Sequence, residues 1–139
     1  MPKESKERNI SKISLICSII GILILFIIAK ISEPLNLSIS EISKENIGEN
    51  VKVTGFIIDR NDHKDGHIFL KIEESYDSSI EVPLFSDFVE ILNDFNFQKA
   101  KTSDLKIGTL LSVEGIVGEY NGKMQVVPKN PNDLKIIYD

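Results

Sequence analysis

Carboxylates and histidines alternate with turn-forming residues in one acidic stretch near the middle of the chain. Asp59, Asp62 and Asp65 supply three carboxylates, and His63 and His67 supply two imidazoles four residues apart. Imidazole nitrogens and carboxylate oxygens can together bind a divalent metal ion. Aspartate, asparagine and glycine are also the ordinary residues of turns, so the composition fits a loop that binds nothing. We favour the loop and predict no metal site, with His63 and His67 as the secondary candidates.

No other group of residues supplies a catalytic constellation. The chain has 2 histidines and 1 cysteine in 139 residues, and no second cluster of histidines or carboxylates accompanies the acidic stretch. No serine lies in the Gly-x-Ser-x-Gly context of a nucleophile elbow. We therefore expect a protein that is not an enzyme and that uses no cofactor.

Apolar residues alternate with polar ones after the first third of the chain, which is the period of half-buried β-strands. Turn-forming residues at 59–66 predict a hairpin loop. Pro83 has no N–H to donate, so we expect the third strand to be partly an unpaired edge. The first three predicted strands are Val51–Ile58, Ile68–Ile72 and Ile80–Leu84.

A helix and two more strands are predicted in the rest of the chain. Asp87 and Glu90 resemble a capping box at the start of a helix at 87–95. Two strands follow at 111–117 and 124–127, joined by an Asn-Gly turn, and a last short strand is expected within 132–138. The apolar face of the helix is predicted to pack in the core and consists of Phe88, Ile91, Leu92 and Phe95.

Residues 13 to 29 carry no charge and are mostly isoleucine and leucine. A bilayer core needs about 20 apolar residues, with about 17 as the lower limit, so we predict a transmembrane anchor at 13–32. A cleaved signal peptide is the main alternative, but no A-x-A-like site follows the run. The basic tail at 1–12 then stays in the cytoplasm by the positive-inside rule. A linker at 33–43 leads to an extracytoplasmic domain at 44–139 of this single-pass cell-membrane protein.

The part of the chain after the apolar run is acidic. From residue 33 onward, 11 lysine and arginine residues face 19 aspartate and glutamate residues, a net charge of −8. General attraction to phosphate backbones or anionic lipid is therefore not expected. Cys17 has no partner for an intrachain disulfide, and Asn36 lies in an N-x-S tripeptide that we do not expect to be glycosylated.

Two segments repeat one pattern, IGENVKVTGFI at 47–57 and IGTLLSVEGIV at 107–117. Each places a glycine, Gly55 or Gly115, inside a long strand, which permits the sharp coil that a small barrel needs to close. Five strands with a helix between the third and fourth is the order of the OB-fold. The predicted fold is therefore all-β: a five-stranded OB-fold barrel with one helix between strands 3 and 4, preceded by a single transmembrane helix.

Several short motifs in the strands carry a family resemblance. The chain resembles OB-fold domains of the nucleic-acid-binding type, which include anticodon-binding domains and OB modules of secreted or surface nucleases. The resemblance covers roughly 38–137 and departs at 73–79, where the family often has an Asp-x-Ser/Thr-Gly turn. The motifs are Gly48, VKVTG at 51–55, GHIFLKI at 66–72, LKIG at 105–108, VEGIV at 113–117 and EYNGKMQVV at 119–127.

The resemblance implies a ligand face on the outside of the second and third strands. Phe69 and Phe85 there can stack on bases, and Lys71 can contact a phosphate. The alternative is that both phenylalanines pack under the helix or a loop. Other residues that could extend this face are Lys52, Tyr120 and Lys123.

Three functions remain open at this point. The first is a membrane-anchored OB module that binds single-stranded DNA or RNA, or an oligosaccharide-like ligand, outside the cell. The second is a protein-interaction domain of a cell-envelope complex. The third, a haem chaperone, follows from a similarity in architecture to cytochrome c maturation proteins. The third is disfavoured because 125–139 contains Tyr138 but no histidine.

Overall fold

The computed structural model describes residues 2–31, 33–94 and 101–138. The chain forms two compact units, one ending at Glu33 and the other beginning at Pro34. The first contains the helix α1, Pro2–Ile31, whose segment Lys6–Lys30 is long and apolar enough to cross a membrane, with a mean hydropathy of 2.7. By length and composition alone, a signal sequence would satisfy the same criterion. The Ser18 hydroxyl donates to the Ser14 carbonyl (2.9 Å), so this polar group is satisfied within the helix.

The second unit is one sheet of seven strands within the described residues. β2 pairs with both β3 and β5, so the pairings β2–β3–β4–β6–β5 return to β2. The helix α2, Ser86–Asp94, follows β4. The strands are β1 (Leu35–Asn36), β2 (Asn50–Asp62), β3 (Ile68–Ser75), β4 (Ser78–Leu84), β5 (Leu110–Tyr120), β6 (Lys123–Val127) and β7 (Leu134–Ile136).

The five predicted strands correspond to β2–β6, and β7 is the short strand expected at the end. β1 was not predicted and lies in the segment 33–43 assigned to a linker. It pairs in parallel with β2, and Ile39 just beyond it is 5% exposed in the core. The Ile39 N–H donates to Glu74 Oε2 (2.9 Å). Much of this segment is therefore packed on the domain.

The hairpin loop predicted at 59–66 is shorter than expected, because β2 continues to Asp62. A bulge between Ile57 and Asp59 shifts the register and lets the strand continue along β3. Arg60 fixes this extension, because its guanidinium pairs with Asp62 and donates to the carbonyls of Thr102 (2.5 Å) and Leu105 (2.8 Å). Turn-forming residue types at these positions therefore lie in a strand.

The two repeated glycines lie where a strand changes partner. β2 passes from β5 to β3 at Phe56, directly after Gly55, and β5 passes from β2 to β6 at Ile116, directly after Gly115. An added Cβ at Gly55 would lie 2.8 Å from the Glu73 carbonyl oxygen, and one at Gly115 would overlap the Val127 carbonyl. The repeated pattern thus marks the two places where strands cross closely.

The helix α2 packs on the core with a narrower face than predicted. Phe88 and Leu92 are buried, and Val89 is partly buried against them. Ile91 is 43% exposed, so its assignment to the core is wrong, and Phe95 lies outside the described residues. The helix begins at Ser86, so Asp87 lies within the first turn rather than at the cap. There its carboxylate is near the positive end of the helix dipole.

One edge of β4 forms almost no strand pairing, as expected from Pro83. It pairs with β3 along its length, but with β6 only at Glu81 and Gln125. At the other hairpin, Asn121 and Gly122 both have positive φ (51° and 76°), the geometry of a type I′ turn.

Candidate functional site

Three aromatic rings form a cluster on the outer face of the sheet, beside the start of α2. Phe69 on β3 and Phe85 at the end of β4 are 40% and 46% exposed. His67 lies between them, with its ring centroid 6.2 Å from that of Phe69 and 5.8 Å from that of Phe85, edge-on to the latter. Neither phenylalanine is packed under the helix. Their open faces can receive the flat surface of a ligand.

His67 is held in place by the helix that follows β4. Its Nδ1 accepts a hydrogen bond from the Ser86 N–H (2.9 Å), one of the amides at the start of α2 that has no partner within the helix. The neutral ring therefore carries its proton on Nε2. His67 was considered above only as a metal candidate. Its alternation with Phe69 and Lys71, from the residue just before β3 into the strand, could have indicated a shared face.

A depression of about 310 Å³ lies beside the aromatic cluster on the same face. Four of the six residues proposed for the ligand face line it together, namely Phe69 and Lys71 from β3 and Tyr120 and Lys123 from the β5–β6 hairpin. Its remaining polar walls come from the side chains of Asp59, Asn61, Glu81 and Gln125.

The charges in this depression balance. Asp59, Lys71, Glu81 and Gln125 are successive cross-strand partners on β2, β3, β4 and β6, so they form one row across the face. Lys123 Nζ lies 3.6 Å from Glu81 Oε1. The depression thus holds two lysines and two carboxylates, and these residues do not form a basic stripe of the kind that follows a phosphate backbone.

The other two proposed residues lie outside the depression. Phe85 belongs to the aromatic cluster beside it. Lys52 lies seven residues before Asp59 on β2, about 23 Å along the strand at about 3.3 Å per residue. Its cross-strand neighbours are Asn36 and Glu114. Lys52 is therefore not part of the same surface.

The rings of His63 and His67 lie near each other, with their centroids 6.2 Å apart. His63 Nδ1 lies 3.2 Å from Asp65 Oδ2, while His67 turns toward the aromatic cluster. In the ranges 2–31, 33–94 and 101–138, no three His, Cys, Asp or Glu side chains converge as metal ligands would.

Arg60 and Asp62 form a pair whose pKa values are shifted. The hydrogen bond from Arg60 holds the pKa of the Asp62 carboxyl below its usual range, and the same bond raises the pKa of Arg60. Asp62 is mostly exposed. The pair lies on β2 and ties the strand to the 102–105 segment, so its role is structural.

A second depression, of about 350 Å³, lies away from these residues. Phe56, Leu110, Ile137 and Tyr138 contribute its apolar part, and Asp104 and Lys106 contribute charge. None of the residues proposed for the ligand face lines it.

Comparison with known proteins agrees with this architecture. Residues 51–134 match the tRNA anti-codon family, described as an OB-fold nucleic acid binding domain. No curated protein sequence matches the chain.

Solved structures share the fold at low sequence identity. The S. pombe Stn1-Ten1 complex has a TM-score of 0.58 at 12% identity, covering 78% of this chain and 81% of that one. The asparaginyl-tRNA synthetase from Pyrococcus horikoshii has a TM-score of 0.54 at 21% identity, covering 73% of this chain but 22% of the synthetase. An OBody bound to hen egg-white lysozyme has a TM-score of 0.54 at 15% identity, covering 77% of this chain and 97% of the OBody.

Proposed function

The chain belongs to the OB-fold nucleic acid binding domain family, and from this membership we propose that it is a membrane-anchored, non-catalytic module that binds single-stranded nucleic acid. The observation that carries the proposal is the exposed ring cluster of Phe69, His67 and Phe85 beside the depression with Lys71. We interpret the cyclic strand pairing as the closed five-stranded barrel of this fold, with β1 and β7 as additions.

The aromatic cluster supports single strands as the ligand class. Bases of a single strand are unstacked and can lie on exposed rings, at about 1–3 kcal/mol per base. A duplex hides the same faces within its stack. Two lysines and two carboxylates line the depression together, so its charges offset and we expect binding with a weak dependence on salt.

Binding of a labelled single-stranded oligonucleotide to the full chain in detergent micelles tests the proposal. Phe69→Ala and Lys71→Ala should each weaken binding. Phe56→Ala, which removes another exposed phenylalanine, and Lys135→Ala, on β7, should leave it unchanged. The slope of log K against log [salt] should be no steeper than about −1.4, because two lysines contribute at most about −0.7 each on single strands. Absence of binding at low salt, or equal effects of Phe69→Ala and Phe56→Ala, would contradict the proposal.

A protein partner in the cell envelope is the second candidate. The balanced charges of the depression and the −8 net charge from residue 33 onward favour it. In the OBody bound to lysozyme, a protein with this fold binds another protein. A chain that fails to bind every oligonucleotide would favour this candidate. A haem chaperone has weaker support, since His67 already hydrogen-bonds Ser86.

The anchor and its orientation complete the proposal. We expect α1 to remain attached and to cross the bilayer through 13–32, with 1–12 in the cytoplasm and the OB domain outside the cell. The support is the apolar length of the helix and the basic residues before it. Attachment to a membrane raises the effective concentration of the domain near neighbouring molecules, so a weak intrinsic affinity can suffice.

A further inference from the structure

Lys71 lies between two carboxylate residues and is not paired with either. Its cross-strand neighbours are Asp59 on β2 and Glu81 on β4. In the part of the chain that the structure describes, its ammonium group forms no ion pair or hydrogen bond. Lys123 Nζ lies 3.6 Å from Glu81 Oε1, which is beyond hydrogen-bond distance, so both oxygens of Glu81 can still accept hydrogen bonds. The depression thus presents a cation and a carboxylate side by side to a ligand.

A phosphate group does not suit this arrangement. Asp59 and Glu81 would repel an anion and so offset the attraction of Lys71 and Lys123. The part of a nucleotide that enters the depression is therefore uncharged and carries both hydrogen-bond donors and acceptors. A base has these properties, and Phe69 and Tyr120 at the rim supply rings against which it can stack.

The order of the groups selects among the bases. Lysine donates and an ionised glutamate only accepts, and adjacent strands lie about 4.8 Å apart, which is comparable with the width of one base edge. Guanine has an acceptor, O6, next to two donors, N1–H and N2–H. Two parallel donors allow both oxygens of a carboxylate to be used, whereas adenine, cytosine and uracil or thymine offer one donor group on the corresponding edge.

We infer that the depression reads the Watson–Crick edge of one unpaired guanine, with Lys71 donating to O6 and Glu81 accepting from N1–H and N2–H. This inference rests on the proposed function and adds the identity of the base. Asn61 and Gln125, the amides in the same depression, can hydrogen-bond the sugar or a neighbouring base.

The test compares three oligonucleotides of about nine nucleotides, within the 4–16 that an OB-fold spans. One is oligothymidylate, one has a single central guanosine, and one has inosine there instead, which lacks the N2 amino group. The full chain in micelles should bind the guanosine oligomer roughly tenfold more tightly than oligothymidylate, as expected for one good paired contact to a base. The inosine oligomer should bind several-fold more weakly than the guanosine oligomer.

Variants assign the effect to named side chains. Glu81→Gln should remove both the preference for guanosine over inosine and the tighter binding of the guanosine oligomer relative to oligothymidylate. Glu73→Gln, on β3 but outside the depression, should change neither. Equal binding of all three oligomers, or a guanosine preference that survives in Glu81→Gln, would overturn the inference while the proposed function stands. No binding of any oligomer would instead overturn the proposed function.

Discussion

His67 has two roles in the structure that a single substitution would confuse. Its ring joins the aromatic cluster, and its Nδ1 accepts the Ser86 N–H at the start of α2. Asparagine can place an oxygen near the position of Nδ1, whereas leucine cannot accept a hydrogen bond. The two substitutions therefore separate the ring from the acceptor.

We expect His67→Leu to lower the free energy of unfolding by about 1 kcal/mol, the usual cost of losing an acceptor at a helix start. His67→Asn should keep most of that stability, and both variants should bind oligonucleotide more weakly because both lack the ring. Thermal unfolding followed by circular dichroism and a binding titration measure the two effects. If His67→Asn binds as tightly as the unchanged chain, the ring is not part of the binding surface.

Asp62 makes the stability of the domain depend on pH. Its pKa is lowered in the folded state by the hydrogen bond from Arg60, so its stabilising contribution is complete above the unfolded pKa of about 3.9 and is lost as the pH falls through the lower folded value. Asp62→Asn should therefore unfold at a lower temperature than the unchanged chain at pH 6, and the difference should shrink below about pH 4. The effect is small because the carboxylate is well solvated. A difference that is constant from pH 6 to pH 3 would contradict this assignment.

At the scale of elements, the two long strands β2 and β5 depend on a glycine at each change of partner. Gly55→Ala and Gly115→Ala would push a methyl group into the backbone of Glu73 or Val127, so each should cost about 1–3 kcal/mol of stability. Gly118→Ala is the matched control on β5, because its added Cβ would meet only the Gln125 side chain at ordinary distances of 3.5 Å and more. Unfolding midpoints in denaturant compare the three. Equal midpoints for Gly55→Ala and Gly118→Ala would show that the close crossing is not tight in solution.

At the scale of the whole molecule, the orientation in the membrane can be tested with single cysteines in a Cys17→Ala background. Tyr76, at the tip of the β3–β4 hairpin, is 91% exposed, and Lys6 is exposed on α1. A membrane-impermeant maleimide should label Tyr76→Cys on intact cells, and Lys6→Cys only after the cells are permeabilised. The reverse labelling pattern would show that the chain has the opposite orientation in the membrane. A mature chain that lacks about its first 30 residues would identify α1 as a signal peptide.

The sequence alone predicted the features that depend on local pattern. The period of two in 51–58, 68–72 and 80–84, the Asn121-Gly122 turn and the short last strand all follow from residue types a few positions apart. The repeated glycines were recognised for the same reason. The OB-fold followed from the order of these elements, and the apolar length of 13–29 was sufficient to predict a helix that could span a bilayer.

Tertiary structure decided everything that depends on residues distant in the chain. The bulge after Ile57 and the contacts of Arg60 with the 102–105 segment extend β2 through residues whose types favour a turn. β1 and Ile39 join the domain through β2 and Glu74, which a linear pattern does not reveal. Lys71, Glu81 and Lys123 meet only because β3, β4 and β6 become neighbours, and Lys52 is separated from them by the length of β2. Sequence spacing sets which side of a strand a residue faces, but only strand pairing determines which of those residues meet.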